Sequence, residues 1–179
     1  MVTPYQDYTP KSPSCLIAVD MQVQFKTPDT RHIFPGIQNL VGRFDYLIAS
    51  RIKPVAGSPI HRFKRWQPAE WNAPESELAI DLSDRDPAKT LVLTKVFFSA
   101  FTEVARNWIT GSDVSEIHIC GMDTDMCVMR TATDVMEHDY RPVLLLDLCA
   151  STGGEPCHAN ALIQFKRLIG KDQILSGSS

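Results

Sequence analysis

The chain has no apolar run long enough to span a bilayer and no excess of positive charge, with 18 Lys+Arg set against 21 Asp+Glu. The first lack argues against a membrane helix. The second, with no basic stripe or aromatic-rich basic segment, argues against a nucleic-acid partner. There is no G-x-G-x-x-G and no P-loop lysine, and Gly153-Gly154 alone is weak evidence of phosphate binding. The five cysteines, Cys15, Cys120, Cys127, Cys149 and Cys157, are odd in number, and their spacing fits neither a disulfide framework nor a zinc site. No internal repeat or low-complexity block is present. The stretch Met1-Val2-Thr3-Pro4-Tyr5-Gln6-Asp7 lacks an apolar h-region, so no secretory leader is expected, and a reducing cytoplasm is the simplest setting. What remains is an ordinary globular composition, 44% apolar and 22% charged over 179 residues, enough for one domain with a full core.

Within that composition short apolar runs alternate with helical stripes. Residues 1–13 are polar with three prolines and read as an irregular arm. Cys15-Leu16-Ile17-Ala18-Val19 predicts a strand buried on both faces, ending at Asp20. Gly36 to Ser50 carries a helical stripe of Ile37, Leu40, Val41, Phe44, Leu47 and Ile48, and Lys53–Ser58 reads as a weak second strand. Residues 59–89 have no clear period and hold His61, Trp66, Trp71 and four prolines. A connection of that length is either a lid-like functional loop or a surface excursion anchored by its tryptophans. Leu91–Thr94 predicts a third strand closed by Lys95, and a helix follows over about Thr102–Trp108. Glu116–Cys120 predicts a fourth strand and Pro142–Leu146 a fifth, closed by Asp147. A helix then opens at Pro156, and Gln173–Leu175 reads as a short sixth strand. Alternation of this kind implies a parallel sheet covered on both faces, a three-layer α/β/α fold.

The chemistry gathers where these strands end. Thr124 is placed to cap a helix after the Gly121 break, which puts Cys127 in its first turn. There the helix dipole favours thiolate, and unpaired amides could hold an oxyanion. Alone, such a cysteine is better read as a buried structural residue, and it is the partners elsewhere in the chain that favour the reactive reading. Asp20 is either a turn former or a site residue, and Lys95 either a solvated charge or a cation turned inward by the aromatic residues after it. An acid, a cation and a thiol at the carboxyl ends of three parallel strands make a coherent nucleophile set, since ligands bind at those ends.

The segments Leu16-Ile17-Ala18-Val19-Asp20-Met21-Gln22, Lys95-Val96-Phe97-Phe98-Ser99-Ala100-Phe101 and Gly121-Met122-Asp123-Thr124-Asp125-Met126-Cys127-Val128, with Thr131-Ala132 behind, resemble the isochorismatase-like cysteine hydrolases. These include nicotinamidases and N-carbamoylsarcosine amidases. The resemblance implies a single isochorismatase-like, Rossmann-like domain with six mostly parallel strands in the order 3-2-1-4-5-6. It implies an Asp20-Lys95-Cys127 catalytic triad and a cis peptide between Met122 and Asp123. It also implies an oxyanion hole from the amides of Asp123 and Cys127, a homo-oligomer, and a small-molecule substrate. Phe25, Trp66, Trp71 and Phe98 are the candidates for the pocket wall. No cofactor is implied.

Two departures qualify the resemblance. The position of Asp123 is usually small and apolar, and a carboxylate there puts negative charge near a thiolate unless it turns away or is paired. Nicotinamidases carry an Asp-x-His pair and a further His after the second strand, whereas Gly57-Ser58-Pro59-Ile60-His61 offers one histidine, which makes no metal site. The reaction expected is hydrolysis of a C–N bond in a small amide, ureide or related carbonyl compound. A binding or regulatory protein with reduced turnover and a redox-responsive thiol protein are the competing expectations.

Overall fold

The computed structural model describes residue 5 and residues 7–66 and 73–177. Among them one six-stranded sheet runs in the order β3-β2-β1-β4-β5-β6, every neighbouring pair parallel. Its strands are β1 (Cys15–Val19), β2 (Tyr46–Ile52), β3 (Thr90–Lys95), β4 (Glu116–Gly121), β5 (Arg141–Cys149) and β6 (Ile174–Leu175). The helices are α1 (Phe34–Leu40), α2 (Pro59–Lys64), α3 (Glu103–Ile109), α4 (Met129–Glu137) and α5 (Glu155–Leu168). None of the described helices is long and apolar enough to cross a membrane.

β1 is central because all five of its residues are apolar and fully buried, as a strand covered on both faces requires. Side chains alternate across a strand, so Ile17 and Val19 join one apolar layer with Phe101, Ala132 and Phe165. Leu16 and Ala18 join the other with Met21, Ile37 and Leu145. β1 pairs with β2 on one side and β4 on the other, so the chain reverses its direction of winding at this strand. The crevice outside the carboxyl ends of β1 and β4 is where such a sheet offers a site.

Three element predictions are corrected. The stripe from Gly36 to Ser50 is not one helix: α1 stops at Leu40, a single 3-10 turn follows, and Tyr46–Ile52 forms the second strand in place of Lys53–Ser58. Leu47 and Ile48 fit helical spacing, but they also sit in an uninterrupted run whose burial on both faces settles the matter. Pro54 lies just past that strand. The fifth strand runs past Asp147 to Cys149, with a register irregularity against β4 that accommodates the extra length. The 59–89 excursion contains α2, whose N-cap Ser58 accepts from the His61 amide, and 3-10 turns at Pro74–Ser76 and Pro87–Lys89.

Candidate active site

Asp20 follows β1 in a left-handed conformation (φ 52°) and is 1% exposed. Ser50, in β2, holds it from two directions. The Ser50 hydroxyl accepts from the Asp20 amide at 3.1 Å and donates to Oδ1 at 2.8 Å. The other oxygen, Oδ2, accepts from Lys95 Nζ at 2.7 Å, an ion pair buried at both ends. Lys95 closes β3 and spends its remaining donors on the carbonyls of Phe97 (3.1 Å) and Phe98 (2.8 Å). Its Nζ also stands 3.5 Å from Cys127 Sγ. Three residues far apart in sequence thus meet at one rim. A buried ion pair of this kind is tolerated only when its hydrogen bonds are made, and these are.

The nucleophile segment is built tightly. Gly121 closes β4 at φ 111°, and a Cβ there would lie 2.2 Å from the Val19 carbonyl oxygen, so the site needs glycine on both counts. The peptide between Met122 and Asp123 is cis. Thr124–Val128 then form a π-turn, with Asp123 and not Thr124 at the N-cap position. The Thr124 hydroxyl is instead 2.9 Å from His158 Nδ1 on α5. Below the turn, Thr131 Oγ1 donates to the Cys127 carbonyl at 2.7 Å and accepts from the Ala100 amide at 2.9 Å. One hydroxyl thereby ties the cysteine segment to the lysine segment.

Burial pushes the Cys127 thiol well above its usual range. The Asp20 charge adds to the rise, and Lys95 opposes it. Desolvation thus outweighs the expected bias of a helix start toward thiolate and favours the thiol. Asp123 does not point free at the sulfur. Its Oδ1 accepts from the Thr152 amide at 2.7 Å and its Oδ2 from the Thr152 hydroxyl at 2.8 Å. Burial raises its carboxyl above the ordinary value, while the two Thr152 bonds act against that rise.

A narrow crevice opens onto Cys127, lined by Asp20, Phe25, Ile52, Trp66, Met122, Asp123 and Met126. Phe25 and Trp66, expected as wall residues, are there with ring centroids 6.1 Å apart. Phe98 is not. It contributes its carbonyl to Lys95 while its ring packs against the apolar layer. Trp71 lies outside the described residues. The sequence does not single out Ser50 or Ile52, because the helical stripe runs up to Ser50 and a serine inside a strand gives no signal until its pairing with β1 is known. Gln22, two residues after Asp20, carries no signal by its residue type alone. It accepts from the Ile52 amide at 2.7 Å and donates to the Ser76 carbonyl at 2.9 Å, fixing the cavity's back wall.

A comparison with curated proteins gives no match. Several solved structures share the fold. A pyrazinamidase of Pyrococcus horikoshii in complex with zinc is 24% identical, with 91% of this chain and 98% of that one covered at a TM-score of 0.76. A nicotinamidase from Bacillus subtilis is 21% identical over 90% of this chain and 98% of that one, TM-score 0.74. An isochorismatase-like hydrolase from Alkaliphilus metalliredigens is 16% identical over 93% and 96%, TM-score 0.78. Zinc does not fit the residues here: His61 Nδ1 accepts from the Gly57 amide at 3.0 Å, and among the described residues no three His, Cys, Asp or Glu side chains are grouped to hold a metal ion. The sequence profile described as the isochorismatase domain matches residues 14–173, which spans the first five strands and the whole rim just described, and the chain therefore belongs to the isochorismatase family.

Proposed function

We propose that this chain is a cysteine hydrolase that cleaves the C–N bond of a small amide, ureide or related carbonyl compound through a thioester. The observation that carries the reading is the position of Lys95 Nζ, 2.7 Å from Asp20 Oδ2 and 3.5 Å from Cys127 Sγ. A base and a nucleophile gathered around one cation is an arrangement that suits nucleophilic catalysis. The amidase names of the Pyrococcus and Bacillus relatives support the same chemistry. The crevice over Cys127 widens past Phe25 and Trp66 into an outer cleft of about 330 Å³, which suits a small substrate.

The steps follow from the resting state. The Cys127 thiol gives its proton to Asp20 as sulfur attacks the carbonyl carbon, so charge develops only when substrate is present. The C–S bond forms and the carbonyl oxygen becomes an oxyanion, held by the amides of Asp123 and Cys127. As the oxyanion collapses, the C–N bond breaks and the amine leaves with the proton from Asp20. Asp20 then takes a proton from water, the resulting hydroxide attacks the thioester, the C–S bond breaks to release the acid, and Asp20 returns its proton to the departing sulfur, which restores the cysteine. Lys95 keeps Asp20 ionised between the proton transfers and offsets the charge on sulfur.

The test is a screen of small amides and ureides for ammonia release by the purified protein. Cys127→Ser should abolish turnover of any active substrate, by a factor of roughly 10³ or more, with little change in stability. Full activity of that variant on a substrate the parent hydrolyses would sink the thioester reading.

A further inference from the structure

We infer that Asp123 sets the specificity of this site: its carboxylate selects substrates that present an N–H donor or a positive charge beside the scissile carbonyl, and it turns carboxylates away. The inference rests on the hydrolase reading above and adds the substrate class to it.

The walls of the cavity are mostly apolar, from Phe25, Ile52, Trp66, Met122 and Met126. Two carboxylates break that surface. The charge of Asp20 is matched at 2.7 Å by Lys95, whose contacts are all turned to protein groups. Asp123 has no such counter-charge: among the described residues it makes no ion pair, and both of its oxygens are held by the uncharged donors of Thr152. Among the residues that line the outer mouth with Thr152 and Asp123, Lys64 is the one cation, and it is exposed. A ligand that reaches Cys127 therefore passes an uncompensated negative charge.

The geometry makes that charge a recognition element. Thr152 grips the carboxylate as a fork, one donor to each oxygen, which fixes its plane and leaves lone pairs unused on both oxygens. An acceptor already held in place loses little entropy when a ligand donor arrives. Desolvation and the nearby Asp20 and Asp125 charges disfavour the ionised form of Asp123. A donor or cation in the cavity relieves that penalty, and a second anion deepens it. Ureides and substituted amides carry the required N–H next to the carbonyl that reacts.

The test uses iodoacetamide and iodoacetate, two alkylating agents of nearly equal size that differ in charge. Their rates at Cys127 are read by mass spectrometry of the digested protein. Cys157, partly exposed and outside the cavity, serves as the internal reference. The parent protein should favour iodoacetamide at Cys127 over Cys157 by roughly tenfold. Asp123→Asn, nearly isosteric and uncharged, should erase most of that preference. Asp123→Ala, whose side chain needs no partner, should do the same if the amide disturbs the Thr152 fork. An unchanged preference in both variants overturns the inference, as does equal hydrolysis by the parent of a carboxylate-bearing amide and its neutral isostere. Alkylation needs no turnover, so a protein that releases no ammonia yet shows the charge preference overturns the hydrolase reading alone.

Discussion

Asp20 and Lys95 act on the same sulfur in opposite directions, which separates proton transfer from thiol acidity. The Asp20 charge raises the Cys127 thiol and Lys95 lowers it. Asp20→Asn removes the first influence and frees the lysine from its 2.7 Å ion pair, so thiolate forms more readily. That variant should be alkylated by iodoacetamide several-fold faster than the parent near neutral pH, and yet hydrolyse nothing, because an amide takes no proton from sulfur. Lys95→Ala should have the reverse effect on alkylation, moving its pH midpoint upward, and should also lose turnover. Parallel slowing of alkylation in both variants would mean that the carboxylate does not face the thiol. Asp20 and Lys95 are legible in the sequence because each closes an apolar run, and Cys127 because it opens the helical stretch after the Gly121 break at the end of another. Ser50 was not legible, although it makes both a bond to the Asp20 amide and one to its carboxylate. A serine inside a strand carries no signal until the strand beside it is known.

At the scale of elements, what the sequence conveys depends on how many faces an element buries. β1 and β4 are buried on both sides, and their apolar runs were read within a residue of their ends. The stretch from Phe34 to Ile52 was misread because α1 and β2 both contribute apolar residues at spacings that a single helix also satisfies. The nucleophile turn shows the same limit. Thr124 looked like a cap, but packing against α5 gave its hydroxyl to His158, and the carboxylate of Asp123 went to Thr152. The residue that makes this turn possible is Gly121. At φ 111° any other side chain is strained, and its Cβ would sit 2.2 Å from the Val19 carbonyl oxygen and 2.7 Å from the Val19 nitrogen. Backbone in a paired strand cannot yield without breaking β1 from β4. Gly121→Ala should therefore cost at least about 2 kcal/mol of stability. It should appear in urea unfolding as a lowered midpoint with an unchanged slope. A midpoint equal to that of the parent would mean the strand ends are looser than their pairing implies.

On the scale of the whole molecule, the end of the sheet away from the site is closed by a buried histidine. His118 in β4 is 2% exposed, with its Nε2 2.6 Å from the Tyr8 hydroxyl and its ring 5.0 Å from that of Phe44. Tyr8 belongs to the N-terminal arm, and Tyr5 of the same arm donates its hydroxyl to the Leu175 carbonyl at 2.6 Å, so the arm joins the centre of the sheet to its last strand. Burial lowers the His118 pKa to about 4, with Glu116 opposing the shift and Arg141 adding slightly to it. Unfolded, the group has the ordinary histidine value of about 6.5. Between those values the unfolded chain binds a proton that the folded one refuses, so the contribution of His118 to stability is complete above pH 6.5 and is lost as pH falls toward 4. The gap corresponds to about 3 kcal/mol. His118→Gln keeps a polar side chain near Tyr8 and does not titrate. The stability of the parent relative to this variant, measured by urea unfolding at pH 7 and at pH 4, should fall by about that amount on acidification. The carboxylates of Glu116 and the other acids titrate in both proteins and largely cancel in the comparison. A difference independent of pH would place the histidine in contact with water and detach the arm from the sheet.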